Sequence, residues 1–254
     1  MFSLFKFITF NNMSPYNIIK VNATRSTNDK VKMLIKTKKI NNKDVLCAKY
    51  QYKGKGQQTN RWFSSYGNNL LCSLYLEFAK DINIPIFALN FATSLSVLDT
   101  VKFFSNEKTL IKWPNDILSG NHKISGILIE NIFFSSYLSS SIIGVGINVN
   151  QTRFNNLKHA TSLKKITGNN IELDEILDQL LKNYEIYFNR IYDITYLSKE
   201  FNKNLFGKNK CKFIIKEKIF NGKVERVLNN GNLVAFVETI GSKEFRSSDI
   251  KIIY

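Results

Sequence analysis

The segment that most constrains the fold is residues 112–116, Lys-Trp-Pro-Asn-Asp, which follows directly on a short apolar run. A second lysine, Lys123, opens the next apolar run along the chain. Charged side chains are rarely buried beside apolar strands unless they are paired or functional. The segment therefore predicts two strands, close in sequence, that deliver Lys112, Asn115, Asp116 and Lys123 to a binding or catalytic site.

Apolar periodicity predicts a mixture of helices and strands over most of the chain. Apolar residues recur with the 3.6-residue period over 173–192, and this pattern is the clearest prediction of a helix. Further helices are predicted at 27–36 and 85–103. Strands are predicted at 44–49, 69–78, 110–113, 123–132 and 139–149, and the polar stretch 53–65 is predicted to be a loop.

The pattern changes after residue 204. Short strands are predicted at 210–216, 219–227, 233–238 and 243–253, and Asn-Gly turn signals stand at 221–222 and 230–231. We therefore expect three parts: an extension of uncertain status over 1–13, a catalytic domain over 14–204, and a small SH3-like β-barrel over 205–254. The predicted fold class is α+β, with a mixed, mainly antiparallel sheet flanked by helices in the larger domain.

Composition limits the class of protein. Hydrophobic residues make up 44% of the 254 residues, so a sizeable core can form, and no apolar run reaches the roughly 18 residues of a membrane span. The formal charge of +16 fits an acidic partner, and it also fits lysines spread over the surface by compositional drift. The three cysteines stand in apolar stretches, which predicts buried thiols in a reducing compartment such as the cytoplasm.

Three other short segments place polar or glycine residues beside predicted strands. Residues 26–28, Ser-Thr-Asn, open a predicted helix, where they can cap the helix or bind a small polar group. Gln51 precedes the glycine-rich loop 54–57, whose backbone N–H groups can cradle a phosphate, and Trp62 follows it. Residues 144–150 hold two glycines and two asparagines at the end of an apolar strand.

Together these segments resemble the biotin–protein ligase family, also called biotin–[acetyl-CoA-carboxylase] ligases. The order is STN at 26–28, QYKGKGQQTNRW at 51–62, KWPND at 112–116, KISGILIE at 123–130 and GVGIN at 144–148. The resemblance implies a cytoplasmic ATP-dependent ligase that forms biotinyl-5′-AMP with Mg²⁺. It would then transfer biotin to a lysine of a biotin carboxyl carrier protein.

The resemblance also implies roles for individual residues. The implied catalytic residues are Lys112, Asp116 and Lys123, with Asp116 near the carrier amine and Lys112 near the phosphates. The implied biotin-binding residues are Ser26, Thr27, Asn28, Gln51, Lys55, Gly56, Gln57 and Lys123. The implied adenylate-binding residues are Gly54, Trp62, Asn115 and Asn148. No metal-ligand set is assigned.

The glycine loop departs from the family pattern. Lys55 stands where the family usually has arginine, and Gln58 and Thr59 replace an arginine and a glycine. Lysine keeps the charge but loses the bidentate fork, so we expect looser retention of the adenylate. About a dozen residues precede the catalytic region, so we expect a short form without the DNA-binding domain and without a DNA partner. A monomer and a homodimer both remain open.

Three alternatives stay open, and one of them is a catalytically inactive relative with an altered glycine loop. A lipoate or octanoate ligase would share the fold, but KWPND followed by GILIE is the biotin-type pattern. A basic nucleic-acid-binding module is the third alternative, because the predicted barrel carries several lysines: Lys208, Lys210, Lys212, Lys216, Lys218 and Lys223. Few aromatic residues alternate with these lysines as stacking platforms, which favours the ligase.

Overall fold

Apolar strands and helices fill most of the chain in the computed structural model, which describes residues 15–80, 84–154 and 157–253. The predicted extension over 1–13 lies outside the described residues. Two compact units are present. The first unit holds the described residues up to 80 and Ser125–Leu181, and the second holds Ile84–Ile124 and the residues from Lys182 onward.

The helices are α1 (Thr27–Lys36), α2 (Ile86–Phe104), α3 (Leu163–Thr167), α4 (Leu173–Phe188) and α5 (Ile194–Lys203). The larger sheet holds β1 (Asn17–Thr24), β2 (Asp44–Gln51), β3 (Asn69–Glu77), β4 (Thr109–Lys112), β5 (Asp116–Ser119), β6 (His122–Phe134) and β7 (Tyr137–Asn148). The smaller sheet holds β8 (Cys211–Ile215), β9 (Lys218–Val227), β10 (Leu233–Val237), β11 (Gly241–Phe245) and β12 (Lys251–Ile253).

The larger sheet is mixed, as predicted. Its strand order is β1-β2-β3-β7-β6-β5-β4. Strands β1 and β2 are parallel, and the pairings β2–β3, β3–β7, β6–β7 and β4–β5 are antiparallel. The α+β class with a mixed sheet is therefore confirmed. The smaller sheet is antiparallel with the order β11-β10-β9-β8-β12, and its closure into a barrel stays a prediction, as does the domain boundary near 205.

The first unit is built around strands β3 and β7. Every residue of β3 except its last is buried, because Leu-Leu-Cys-Ser-Leu-Tyr-Leu presents compact, mostly apolar side chains to both faces. Helix α1 packs its apolar stripe on this sheet. Its buried Val31 joins Leu46, Tyr75 and Ile142 in one core cluster. This packing fixes the amino terminus of α1, and with it residues 26–28, against the central strands.

The second unit is built around helix α2, which is apolar nearly all round and largely buried. Two of its polar residues, Ser96 and Thr100, donate back to carbonyls one turn earlier, which satisfies their hydroxyls inside the core. Asn183 donates its amide to Thr100, and the rings of Phe91 and Phe201 lie 4.7 Å apart. By length and composition α2 alone among the described helices qualifies as a membrane span, and 67% of its most apolar window is buried inside the protein.

Most predicted elements are present within a few residues of their predicted ends, and the exceptions have local causes. Strand β1 was not predicted because it fully buries only Thr24, although Ile19, Val21 and Ala23 alternate with Lys20 and Asn22. Helix α5 was not predicted either, although Asp193 caps it by accepting from the backbone N–H of Tyr196. The single strand predicted over 243–253 is two strands. Between them, a turn is closed by the bond from the N–H of Asp249 to the carbonyl of Arg246.

The three cysteines are free thiols on strands β2, β3 and β8. Cys72 and Cys211 are buried, as predicted, whereas Cys47 is half-buried. Cys47 and Cys72 face each other across the antiparallel pair β2–β3. The hydrogen bond with Cys47, followed by burial, holds the pKa of the Cys72 thiol well above its usual value.

Gly231 is required by the packing of the second unit. Its φ is +83°, and a Cβ there would overlap the ring of Phe87. We expect Gly231→Ala to lower the free energy of unfolding by about 2–4 kcal/mol, from backbone strain plus overpacking. Gly241 is the matched control: its φ is +80° and nothing lies near its missing Cβ, so alanine there should cost only about 1 kcal/mol. Urea denaturation measures both values, and equal losses would contradict the packing role.

Candidate functional site

Residues 26–28 form the buried amino terminus of helix α1 in the first unit. All three are less than 5% exposed. Ser26 takes the N-cap position with extended backbone angles, but its side chain makes no capping hydrogen bond, so the predicted side-chain cap is wrong. The hydroxyl that would otherwise cap the helix therefore remains available to another partner.

Asn28 is held by hydrogen bonds at both the nitrogen and the oxygen of its side-chain amide. Its Nδ2 donates to Glu130 Oε2 at 2.8 Å and to the carbonyl of Leu128 at 3.2 Å, and its Oδ1 accepts from Ser73 Oγ at 2.6 Å. Glu130 also accepts from Lys32 Nζ at 2.6 Å. Because the amide nitrogen and oxygen both have partners, Asn28 is rigidly placed. A ligand could bond only to the second lone pair of its Oδ1.

Gln51, at the end of strand β2, is tied to the same helix terminus. Its Oε1 accepts from the backbone N–H of Thr27 at 2.6 Å and from Thr27 Oγ1 at 3.2 Å. These bonds turn the amide Nε2 of Gln51 away from the helix. Ser26, Thr27, Asn28 and Gln51 thus belong to one polar cluster at the amino terminus of α1, and their role in binding biotin stays a prediction.

The glycine-rich loop is a tight, internally bonded turn. Its ends are joined by the bond from the N–H of Trp62 to the carbonyl of Gly54, and its tip by the bond from the N–H of Gly56 to the carbonyl of Asn60. Lys55 Nζ donates to Asp29 Oδ1, in the first turn of α1, at 2.5 Å. The loop that contains Gly54, Lys55, Gly56 and Gln57 is therefore tethered to the helix that carries the polar cluster.

The indole of Trp62 packs against Gly146 of strand β7. A Cβ on Gly146 would overlap the Trp62 indole, and a Cβ on Gly54 would overlap the Trp62 carbonyl. Both positions therefore need glycine for close approach. Asn148, two residues beyond Gly146, donates its Nδ2 to the carbonyl of Thr161 at 2.9 Å. Its Oδ1 is buried without a hydrogen-bond partner among the residues that the structure describes.

The second unit carries the other predicted residues in one hairpin. Lys112 ends β4 and Asp116 begins β5, directly opposite it, with a cis Trp113–Pro114 peptide in the turn. Lys123 Nζ pairs with Asp116 Oδ1 at 2.6 Å, and Asn115 is half-buried in the turn. Trp113 anchors the turn, because its Nε1 donates to the carbonyl of Gly231 at 2.9 Å.

Burial and neighbouring lysines lower the pKa of Lys112 in this hairpin. Lys112 is only 9% exposed. Its pKa is lowered from 10.5, first by burial and then by the nearby charges of Lys123 and Lys251, while Asp116 opposes the shift. A lysine cluster with one carboxylate is suited to hold an anion such as a phosphate.

The predicted residues therefore lie in two clusters, one in each unit. The first unit brings together Ser26, Thr27, Asn28, Gln51, the glycine loop, Trp62 and Asn148. The second brings together Lys112, Asn115, Asp116 and Lys123. Sequence reasoning did not assign Ser73, Asp29 and Glu130, which hold Asn28 and Lys55 in place. Glu130 stands in the KISGILIE segment, and that position was the only signal for it.

Comparison with known proteins identifies the family of the chain. The profile of the Biotin/lipoate A/B protein ligase family matches residues 21–148. The bifunctional ligase/repressor BirA of Bacillus spizizenii is 34% identical over 146 residues, which cover 56% of this chain and 44% of that protein. The biotin–[acetyl-CoA-carboxylase] ligase of Mycobacterium tuberculosis is 29% identical over 147 residues, covering 56% and 52%. The matched regions span between about a third and a half of these curated relatives.

Among solved structures, the biotin protein ligase of Aquifex aeolicus in complex with biotin and ATP superposes with a TM-score of 0.77 and 25% identity. The match covers 93% of this chain and 98% of that one. The ligase of Leishmania major, at 17% identity and a TM-score of 0.64, shares the fold. This chain belongs to the Biotin/lipoate A/B protein ligase family, so the predicted family is confirmed.

Proposed function

We propose that this protein activates biotin with ATP and transfers it to a lysine of a carrier protein. In the first step a carboxylate oxygen of biotin attacks the α-phosphorus of ATP, giving biotinyl-5′-AMP and pyrophosphate. In the second step the carrier amine attacks the acyl carbon and AMP leaves. The carrier that the names of the relatives suggest is the biotin carboxyl carrier protein of acetyl-CoA carboxylase.

The observation that carries this proposal is the buried polar cluster of Ser26, Thr27, Asn28 and Gln51. The side chains of Asn28 and Thr27 are hydrogen-bonded to Glu130 and Gln51 of the protein, whereas the Ser26 hydroxyl makes no capping hydrogen bond. A ureido ring is a compact donor and acceptor that such a cluster can recognise. Leaving one buried polar group unpaired costs about 1–3 kcal/mol, so ligands without the ring would bind more weakly.

The lysine cluster of the second unit supports the chemical step. Negative charge grows on the α-phosphoryl oxygens during attack, and fixed cations placed at that charge lower the barrier. We propose that Lys123 contacts the biotin carboxylate and the α-phosphate, and that Lys112 lies near the remaining phosphates. The ion pair of Lys123 with Asp116 keeps the lysine extended and ready before substrate binds.

The described residues do not offer a dedicated Mg²⁺ site. No group of three or more acidic, histidine or cysteine side chains occurs among them, and the carboxylate at the lysine cluster, Asp116, is paired with Lys123. Mg²⁺ usually binds through substrate phosphates and water with one or two carboxylates. Mg²⁺ would therefore enter the site with the phosphates of ATP.

Asp116 is proposed to act in the second step. A free lysine with a pKa near 10.4 is mostly protonated at pH 7, so an adjacent carboxylate that orients or deprotonates it speeds transfer. We expect Asp116→Asn to slow single-turnover transfer from pre-made biotinyl-5′-AMP by about 10²-fold. Biotin-dependent pyrophosphate exchange should fall by no more than about tenfold, from the altered Lys123 pair. An unchanged transfer rate would remove Asp116 from the scheme.

The choice of acid is tested by pyrophosphate exchange into ATP. Biotin, lipoate and octanoate are supplied separately at equal concentrations to the wild-type protein. The proposal predicts exchange with biotin and at least about tenfold less with the other two acids, which lack the ureido ring. Equal or faster exchange with lipoate or octanoate would assign the chain to the lipoate branch of the family instead.

A further inference from the structure

Two cysteines face each other across neighbouring strands of the larger sheet. Cys47 of β2 and Cys72 of β3 are partners in the antiparallel ladder, and their thiols are hydrogen-bonded to each other. Both thiols are free. Paired positions of such a ladder have Cα atoms about 4.5–5.5 Å apart, within the range that a disulfide spans. The strand register therefore brings together two thiols that one covalent bond can join.

The pair lies on the face of the sheet that points away from helix α1. Leu46 and Tyr75, from the same two strands, pack against α1 in the core cluster. Successive side chains of a strand point to opposite faces, so Cys47 and Cys72 lie on the other face. Cys72 is only 2% exposed, whereas Cys47 is half-buried. A small reagent therefore reaches Cys47 first, and neither thiol has a place in the function proposed so far.

Each cysteine is connected through its strand to the polar cluster. Ser73 follows Cys72 directly, and its Oγ donates to Asn28 Oδ1 at 2.6 Å. Strand β2, which carries Cys47, ends at Gln51, whose side chain is hydrogen-bonded to the same helix terminus. A disulfide holds its two Cβ atoms about 3.8 Å apart, closer than most cross-strand pairs. A bond between the thiols therefore shifts β2 and β3 against each other where both strands hold the cluster.

We propose that Cys47 and Cys72 form a redox modification site, at which a low-molecular-weight disulfide joins the two strands and thereby weakens the binding of biotin. The inference goes beyond the proposed function and rests on it only for the identity of the bound acid. In the reduced protein the cluster keeps the geometry described above. In the oxidised protein the bond from Ser73 to Asn28 is stretched or lost, and the affinity for biotin falls by about tenfold.

Two exchange steps form the protein disulfide. The Cys47 sulfur, as its thiolate, attacks one sulfur of the small disulfide RS–SR and expels RS⁻, which takes up the proton that Cys47 lost. The Cys72 sulfur then attacks the Cys47 sulfur of the mixed disulfide, and the second RS⁻ leaves with the proton of Cys72. Two protein thiols are oxidised and RS–SR is reduced to two RSH. The hydrogen bond with Cys47, together with burial, raises the pKa of Cys72, which fits its place as the second nucleophile.

The test uses glutathione disulfide as the probe, applied to the full chain and to the variants Cys47→Ala, Cys72→Ala and Cys211→Ala. After acid quenching, the remaining thiols are alkylated in denaturant and counted by intact mass, and peptide mapping identifies the linked residues. We expect the wild type and Cys211→Ala to form the disulfide between positions 47 and 72. Cys72→Ala should stop at a glutathione adduct on Cys47, whereas Cys47→Ala should keep its thiols because both are buried.

The effect on the site is measured by calorimetry with biotin on the same samples, before oxidation, after it, and after reduction with dithiothreitol. The wild type and Cys211→Ala should lose about tenfold in affinity on oxidation and regain it on reduction. Cys47→Ala, treated in the same way, is the matched control and should change by less than about twofold. Before oxidation it should also unfold within a few degrees of the wild-type temperature.

Three results would overturn the inference. They are a wild type that keeps all its thiols in excess glutathione disulfide, a disulfide that leaves the affinity for biotin unchanged, and an equal loss of affinity in treated Cys47→Ala. Failure of the proposed function looks different. The reduced wild type would then neither bind biotin nor exchange pyrophosphate with it, whereas formation of the disulfide between Cys47 and Cys72 would still support the modification site.

Discussion

Replacing Lys123 by alanine is expected to lower the rate of biotin-dependent pyrophosphate exchange by about 10²–10³-fold. The lysine is proposed to supply the positive charge that meets the developing charge on the α-phosphate. Its ion pair with Asp116 is partly exposed, at 32% and 19% for the two side chains. Partly exposed ion pairs contribute little to stability, so the free energy of unfolding should fall by less than about 1 kcal/mol. The expected loss is therefore one of rate and not of folding.

Lys20→Ala is the matched control for this substitution. Lys20 forms an ion pair of similar length with Asp174, at 2.7 Å, on an exposed part of the first unit away from the predicted site residues. Its replacement should leave pyrophosphate exchange unchanged. Lys123→Arg keeps the charge but changes the shape of the donor, and we expect partial activity from it. Exchange by Lys123→Ala at a near wild-type rate with biotin present would show that the assigned role is wrong.

Replacing Gly144 by alanine is expected to weaken biotin binding by about 10–100-fold. A Cβ on Gly144 would overlap the amide of Asn28, which already bonds Ser73, Leu128 and Glu130. The amide must move or break these bonds, and each unsatisfied buried group costs about 1–3 kcal/mol. Because Thr27 and Gln51 are bonded to each other beside Asn28, the whole cluster would be displaced. Calorimetry with biotin measures the effect.

A double variant separates this steric effect from a general loss of stability. Asn28→Ser shortens the side chain that meets the new methyl group, so Gly144→Ala should destabilise the Asn28→Ser protein less than it destabilises the wild type. The coupling free energy from urea denaturation of the four proteins is expected to be at least about 1 kcal/mol. Additive losses would contradict direct contact as the cause.

Local pattern predicted much of the fold. Helix α1 matches its predicted bounds because its capping position and apolar stripe are both local signals. Strand β3 was equally clear, since it is apolar on both faces. Strand β1 was not predicted because its apolar–polar alternation covers only residues 19–23 and it buries little of its surface. The four-residue strand β5 begins at Asp116, the last residue of the 112–116 motif, and was not predicted because so short a run shows no clear period.

The sequence motifs singled out part of the candidate site, and contacts to residues outside the motifs were not predicted. The pairing of Gln51 with Thr27 and of Lys123 with Asp116 joins residues that the motifs had already singled out. The partners of Asn28 were not predictable, because Ser73 and Glu130 lie on strands that come together only through the sheet order β3-β7-β6.

Intact-mass measurement of a carrier domain tests the central claim most directly. The purified protein is incubated with biotin, ATP, Mg²⁺ and a biotin carboxyl carrier domain, beside a carrier in which the acceptor lysine is replaced by arginine. Our account predicts that the wild-type carrier gains the mass of one biotinyl group, only when ATP is present, and that the arginine carrier gains none. A wild-type carrier whose mass stays unchanged, while a known biotin ligase modifies it under the same conditions, would contradict the account.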